Sequence, residues 1–497
     1  MSSDPKAEHA LEHNEKGSIE WREHDPNAVN PDLVNLAATY VPGSDEEKAF
    51  VRKIDRHIIP TIWALYTLSY LDRANIGNAK TGGLEKDFNL TSTQYSIVLL
   101  VFFISYVAFE IPSNLLLTRV RPSLYLSGLC ILWGGVAACM AACSDWKALA
   151  GVRFALGVAE AGFAPGVAFY LSSWYKRYEL ASRFSIYYTA TAVSGAFSGL
   201  LAGLITQHLD GARGLQGWQW LFIIEGVGSS FLGCFTWYFL PDWPSTTKWL
   251  TEEEQILAAQ RLAYDGMAST QGATGKVGHW EAVKLCFSDW KVWIMVVMYM
   301  MCTGAQTIQY FVPTLVGALG WKGYVGQYHT IPLYACAFVC ILAFCFLSDR
   351  YQNKPLFISI AAGMGTVFFI IVVATTKHMV QYVFVILAFG CVYALPPLTL
   401  TWVPNIIGAP AEKRAVAIAL VNSLGNSASI YGVFLWPKTD APRYIPGFSA
   451  TTAFIACIGV LAQVMRILLK KYPTEQLNAE DVIAAEVAKQ RAKSQAV

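Results

Sequence analysis

Charge is what this sequence has least of. Asp, Glu, Lys and Arg make up 14% of its 497 residues, against roughly 25% in soluble globular chains. The shortage is uneven. Residues 1–56, 242–290 and 472–497 hold 37 of the 72 charges within 131 positions, and the other 366 positions share 35. A water-facing surface cannot be built at that density, so two or three soluble domains are excluded. The net charge of +2 excludes a polybasic nucleic-acid binder. The N-terminus, MSSDPKAEHALEHNEKGSIEWREHD, lacks an apolar core of signal-peptide length. A polar, disordered cytosolic tail is expected there, not a cleaved secretory segment. The eleven cysteines lack disulfide or zinc spacing, and Cys336, Cys340 and Cys345 sit inside apolar runs as small packing residues. The sequence contains no nucleophile–base or metal constellation, so no enzyme, cofactor or metal is expected.

What the sequence has in quantity is apolar length. A membrane-spanning helix needs roughly 20 mainly apolar residues. Twelve such runs lie near 57–79, 95–117, 124–143, 147–172, 184–207, 217–240, 290–315, 326–347, 355–376, 379–404, 414–436 and 448–470. This predicts an all-α integral membrane protein of 12 transmembrane helices in two six-helix bundles, 57–241 and 290–471. Between them lies a polar central loop, 242–289, and polar tails flank them at 1–56 and 472–497. An even count puts both termini on one side of the bilayer. With cytosolic termini, the four short inner loops hold nine Lys and Arg: Arg119, Arg121, Lys176, Arg177, Arg183, Arg350, Lys354, Lys413 and Arg414. The six outer loops together hold eight, so the positive-inside rule favours this orientation. The Asn89-Leu-Thr sequon then faces outward, where it can be glycosylated.

Ionisable residues inside a span cost a few kcal/mol or more, so each needs a partner or a task. Span one carries Tyr70-Leu-Asp72-Arg73-Ala-Asn75, with Asp72 about 22 Å from the inner end at 1.5 Å per residue. Span four carries Arg153 and Glu160, seven apart and so on one helix face. These four read as two acids and two arginines lining a central cavity, or as two structural salt bridges pinning helices together. In the first reading an anionic substrate takes the arginine and frees the acid to bind a proton, which is the physical core of proton–anion coupling. Glu110 in span two, Glu225 in span six and His329 in span eight read more simply as structural. Gly195, Gly199 and Gly203 form a ladder of small residues that lets a neighbouring helix come close. The second half carries neutral groups: Gln306, Gln309, Tyr310, Thr399, Thr401, Trp402, Asn422 and Asn426. Such groups suit substrate selection, with Trp402 able to stack on a flat ring.

Six plus six spans around a polar linker resemble the major facilitator superfamily. Leu347-Ser-Asp349-Arg350-Tyr-Gln-Asn-Lys354 resembles its G-x3-D-R-x-G-R-[RK] gating motif with the glycines replaced. The first-half counterpart, Pro112-Ser-Asn114 to Pro122, lacks the Asp-Arg pair. Arg52-Lys-Ile-Asp55-Arg56, Leu68-Ser-Tyr-Leu-Asp72-Arg73-Ala-Asn75-Ile-Gly-Asn78-Ala-Lys80 and Gly157-Val-Ala-Glu160-Ala-Gly-Phe-Ala-Pro165-Gly166 are similar to the anion:cation symporter family. Within it they most resemble the fungal allantoate, nicotinate and pantothenate permeases. That resemblance covers roughly residues 48–472. It implies that Asp72 and Glu160 carry protons and that Arg73 holds the substrate carboxylate. Arg153, Tyr70, Tyr106, Thr191, Trp402 and Asn422 would line the site, and Asp349 and Arg350 would gate it. The expected function is proton-coupled import of a small organic anion across a fungal plasma membrane, by a monomer. An exporter of an organic acid or secondary metabolite, and a nutrient receptor with little transport, stand as alternatives. Span five has no proline, unlike the drug antiporters of the superfamily.

Overall fold

The computed structural model describes residues 40–117, 120–264, 279–321, 323–407 and 411–472. Most of both polar tails and the Gly/Ser/Thr-rich part of the central loop lie outside these residues. The described residues form helices and connecting turns only.

Among the described residues, twelve helical crossings follow one another. In the first half, α1 is Asp45–Ala79 and α2 is Ser92–Leu117. Helix α3 is Pro122–Cys139, and α4 is Trp146–Glu160 continued by Phe163–Ser172. Helix α5 is Arg177–His208 and α6 is Gly217–Phe239. In the second half, α7 is Trp290–Gln306 continued by Val312–Ala318, and α8 is Gly323–Tyr328 with Ile331–Tyr351. Helix α9 is Lys354–Ala374, and α10 is His378–Leu400 with Val403–Ile406. Helix α11 is Ala411–Asn426 with Ala428–Gly432, and α12 is Ile445–Lys471. Ten of these are long and apolar enough on their own to cross a membrane. The other two are α1, diluted by its charges, and α11, whose apolar run is interrupted by Asn422, Ser423, Asn426, Ser427 and Ser429.

Helix α1 begins twelve residues before the apolar run predicts. Ser44 caps it by accepting from the Glu47 amide, and Asp45, Glu46 and Glu47 complement the positive end of the helix dipole. The polar extension is held from a distance. Lys53 pairs with Glu254 at 2.7 Å and Arg261 with Glu47 at 3.0 Å, both from the linker helix Glu252–Tyr264. Residues 45–56 are therefore packed helix, and part of the central loop is helix too.

The glycine ladder on α5 does what its spacing predicts, and its partner is in the other half. A Cβ on Gly195 would run into the Tyr334 ring, one on Gly199 into Thr330, and one on Gly203 into Tyr328, all on α8. At the end away from the chain termini, polar contacts also join the halves. Tyr95 donates to the Tyr310 carbonyl at 3.2 Å and Ser96 to the Val433 carbonyl at 3.1 Å. Gln327 donates to Thr81 at 2.8 Å, and Lys438 pairs with Glu85 at 2.7 Å. The far end of the seam is closed.

Candidate functional site

The site grows out of one turn of α1. Successive residues of a helix point about 100° apart, so Asp72 and Arg73 cannot face the same way. Arg73 turns towards α4, where its Nε donates to Glu160 Oε2 at 2.6 Å. Ser69, one turn earlier, donates to the same oxygen at 3.3 Å. Asp72 turns the other way, and its Oδ2 accepts from Ser229 of α6 at 2.9 Å. The four residues expected around one cavity thus separate into an Arg73–Glu160 pair and an Asp72 carboxylate behind it, inside the first half.

Arg73 is 8% exposed and Glu160 is fully buried. The guanidinium carbon lies 4.7 Å from the Tyr106 ring centre, 5.1 Å from Tyr70 and 5.6 Å from Phe102. Aromatic faces stabilise a cation without neutralising it. One terminal nitrogen, Nη2, has no hydrogen-bond partner among the described residues. A buried guanidinium can donate five hydrogen bonds in a fork that matches a carboxylate, and this one has donors to spare. Arg153 is 1% exposed, lies 5.9 Å from the Phe102 ring, and has two unpartnered nitrogens among the described residues. Charge of both signs is therefore held at membrane depth with incomplete pairing.

The second half reaches the site through α11. Asn422 Nδ2 donates to Glu110 Oε1 at 2.6 Å, a contact between the halves. Glu110 lies one turn along α2 from Tyr106 and is 2% exposed. The sequence reading places Asn422 against substrate, and the structure places it against this acid. Gln306 accepts from Tyr188 at 3.3 Å and Gln309 from Tyr393 at 2.8 Å. Thr191 is buried and bonds back to the Tyr188 carbonyl within its own helix. Trp402 is buried at the break in α10, next to Thr401, whose hydroxyl accepts from Lys354 at 2.9 Å. Lys354 also pairs with Asp349 at 3.3 Å, and Arg350 is exposed on the same turn. His329 stacks on Trp321 with ring centres 4.4 Å apart. Asn89 is exposed in the far-end loop.

Phe102 and Ser229 belong to the site as well, though nothing in their own residue type marks them in the sequence. Each lies four residues from a flagged residue, Tyr106 and Glu225 respectively, so a search for helical neighbours finds them.

At the terminal end, burial favours the neutral form of Glu47, yet the Lys176 ammonium, the Tyr40 hydroxyl, the Gly43 amide and Arg261 together hold its carboxyl down at about 2. Lys176 contacts it at 2.6 Å. Arg261, 1% exposed, reaches Glu179 as well at 2.6 Å. This network docks the linker helix onto α1 and the α4–α5 turn. Among the described residues, no cluster of His, Cys, Asp and Glu could hold a metal ion.

Comparison with known proteins agrees with this architecture. A model of the Major Facilitator Superfamily matches residues 62–433. An MFS transporter prlL from Fungal sp. (strain NRRL 50135) is 33% identical over 413 residues, 81% of this chain and 82% of its own. A major facilitator-type transporter hxnP from Emericella nidulans is 30% identical over 446 residues, 88% of each chain. Among solved structures, the proton:xylose symporter XylE shares the fold with a TM-score of 0.64 at 16% identity, covering 84% of this chain and 96% of its own. An inward-facing, occupied bacterial homologue of the human lysosomal transporter Spinster gives 0.61 at 14%, covering 86% and 98%. The chain is a membrane transporter and belongs to the Major Facilitator Superfamily.

Proposed function

We propose that this transporter is a proton-coupled symporter that imports a small organic carboxylate across the plasma membrane. It works as a monomer with both termini cytosolic and belongs to the anion:cation symporter branch that takes vitamin acids such as nicotinate or pantothenate. The observation that carries this reading is Arg73: a buried guanidinium boxed by three aromatic rings, paired with a titratable acid, and left with a free donor. A carboxylate is the ligand that such a fork accepts best.

In this reading the substrate carboxylate and Glu160 compete for Arg73. From outside, Glu160 and Asp72 take up protons and the anion takes the guanidinium. Arg153, Tyr70, Tyr106, Thr191, Trp402 and Asn422 line the path, and Asp349 and Arg350 gate its cytosolic end. The halves rock about the midplane, and the contacts at the far end open and close in turn. Inside, the anion leaves, the acids release protons, and Glu160 reclaims Arg73. The membrane potential contributes about 2.3 kcal/mol per net charge per 100 mV, and the pH gradient adds to it.

The test uses the purified full chain in proteoliposomes. Radiolabelled nicotinate, pantothenate and allantoate are offered first, then a wider organic-acid set, at two external pH values. Expected is accumulation that rises as external pH falls and collapses with a protonophore. Uptake indifferent to both overturns the coupling. Cells lacking the protein that retain a compound, instead of failing to take it up, point to export.

A further inference from the structure

Resting on that reading, we propose that Glu225 is a third proton-binding carboxyl of the transport cycle, sharing a proton with Asp72 beside the Ser229 hydroxyl. Glu225 lies on α6 and is 2% exposed, and neither of its oxygens has a hydrogen-bond partner among the described residues. Ser229 follows one turn later on the same face, and it is Ser229 that donates to Asp72. The Trp133 indole nitrogen of α3 and Asp72 Oδ1 are both buried without a hydrogen-bond partner among the described residues. Helices α3 and α6 touch backbone to backbone here: a Cβ on Gly226 would meet the Ala138 nitrogen and the Gly134 oxygen. No room is left for the hydration shell of a carboxylate.

Charge counting then requires a proton. The interior of the first half holds Arg73 and Arg153 against Asp72, Glu160 and Glu225, all at most 8% exposed. Fully ionised, the set carries one uncompensated negative charge. An uncompensated charge at membrane depth is costly and is avoided by protonation. Lys80 and Glu110, buried towards the two ends, add one charge of each sign and leave the sum unchanged. Glu160 is committed to Arg73, so the neutralising proton belongs to Asp72 and Glu225.

The surroundings offer Glu225 nothing else to ionise against. From α1 the charged group acting on it is Asp72, a like charge. Helix α3 contains no acid or base, and its titratable side chains are Tyr125, Cys130 and Cys139. Helix α5 brings Tyr187, stacked on Tyr66, and Tyr188, bonded to Gln306, with Glu179, Arg183 and His208 towards its ends. The turn Met140–Ala142 has no titratable group. In the segment Lys80–Leu84 the Lys80 ammonium sits 4.3 Å over the Tyr95 ring. The step is a transfer within the pair: Glu225 gives its proton to the Asp72 carboxylate, becomes the carboxylate itself, and the pair's charge is unchanged. Asp72 lies one hydrogen bond from Ser229 and Glu225 one helical turn from it, with no cation left for Glu225, so the two carboxyls hold one proton between them as a unit. Counting from the turn at Gly217, Glu225 is about 12 Å inside the far end of α6. It therefore receives protons from that side and relays them to Asp72.

The experiment compares wild type, Glu225→Gln, Glu225→Asp and Ser229→Ala in proteoliposomes, each checked for a wild-type thermal midpoint. Readouts are pH-gradient-driven accumulation, counterflow exchange, and the external pH profile. Glu225→Gln is expected to lose at least about tenfold in accumulation, the worth of one pH unit of driving force. Exchange should fall far less, the pH profile should flatten, and Glu225→Asp should restore both. Ser229→Ala, which removes one hydroxyl, should slow proton-driven uptake and decides the matter if Glu225→Gln does not fold. Accumulation and pH profile unchanged in the variant that folds overturn the proposal. So does an accumulation defect that Glu225→Asp fails to restore. If wild type itself ignores the pH gradient, the symport reading has failed instead.

Discussion

Glu160→Gln should make this protein bind its anion more tightly while abolishing its ability to concentrate it. In the structure Glu160 occupies the Arg73 fork through a 2.6 Å ion pair, so an incoming carboxylate must displace it. Glutamine keeps the shape and an acceptor oxygen but not the charge. A charge-assisted hydrogen bond contributes about 1.5–3 kcal/mol, and each 1.4 kcal/mol is tenfold in affinity. Removing the internal competitor should therefore tighten anion binding by about 10- to 100-fold. Arg73 cannot relieve its burial by losing a proton, whereas Glu160, stripped of Arg73, can take one up. From an ordinary carboxyl value of about 4.3 that uptake costs about 3.7 kcal/mol at pH 7. Arg73→Met should consequently fold but bind no carboxylate. The assay is equilibrium binding of the best acid from the uptake screen to purified wild type and variant, across external pH. Wild-type affinity should improve as pH falls, because protonating Glu160 releases Arg73, and Glu160→Gln should bind tightly throughout with a shallower pH dependence, only the part carried by Asp72 remaining. Equal or weaker binding by Glu160→Gln, or a pH dependence as steep as wild type, would refute the competition.

At the α5–α8 seam, Gly199→Val forces a side chain into Thr330. Overpacking of this kind costs about 1–3 kcal/mol, so transport should fall sharply with the protein still folded, as read by uptake against thermal midpoint. The Glu110–Asn422 bond joins the halves, so a double-mutant cycle with Glu110→Gln and Asn422→Ala should show coupling of about 0.5–3 kcal/mol in stability or in cysteine accessibility along the seam. At the terminal end Glu47 titrates at about 2, below its ordinary 4.5. A lowered carboxyl stabilises above its unfolded value and loses that contribution as pH falls through the folded one. Docking of the linker helix Glu252–Tyr264 should thus be intact at pH 5 and loosen towards about pH 2, read as hydrogen exchange of its amides. If the far end is extracellular, fungal expression should give a glycosidase-sensitive band shift that Asn89→Gln removes.

The number of crossings was legible because apolar length is local information. Ten runs stand out on hydropathy alone, and α1 and α11 emerge once their polar residues are read as placed inside a span. The start of α1 was not legible. Residues 45–56 look like a tail until Arg261 and Glu254, some two hundred positions away, are brought against Glu47 and Lys53. The close approach at Gly195, Gly199 and Gly203 was readable from their spacing, but not that Tyr334, Thr330 and Tyr328 of the other half fill it. The site residues were legible by type for the same reason that the chain is poor in charge: each buried acid or base stands out. Their pairing was not, because it depends on which helices sit on either side of α1.

That pairing matters most at Asp72 and Arg73. Adjacent on the chain and about 100° apart on the helix, they place one residue at the aromatic box beside α2 and α4 and the other against α6. In the proposed symport, anion and proton bind on different sides of one rigid helix. Both sides feel the same turn of α1, so a carboxylate arriving at Arg73 and a proton arriving at Asp72 are coupled through position and field. No bond between Asp72 and Arg73 is needed. In that scheme Glu160 is the element that switches, because it trades its ion pair with Arg73 for a proton when the anion takes the guanidinium. A transporter built this way keeps its interior near neutral in each state: empty with Glu160 ionised against Arg73, or loaded with Glu160 protonated and the substrate in its place. The low charge of the chain is what such an exchange requires, because any further fixed charge at this depth would favour one of the two states over the other.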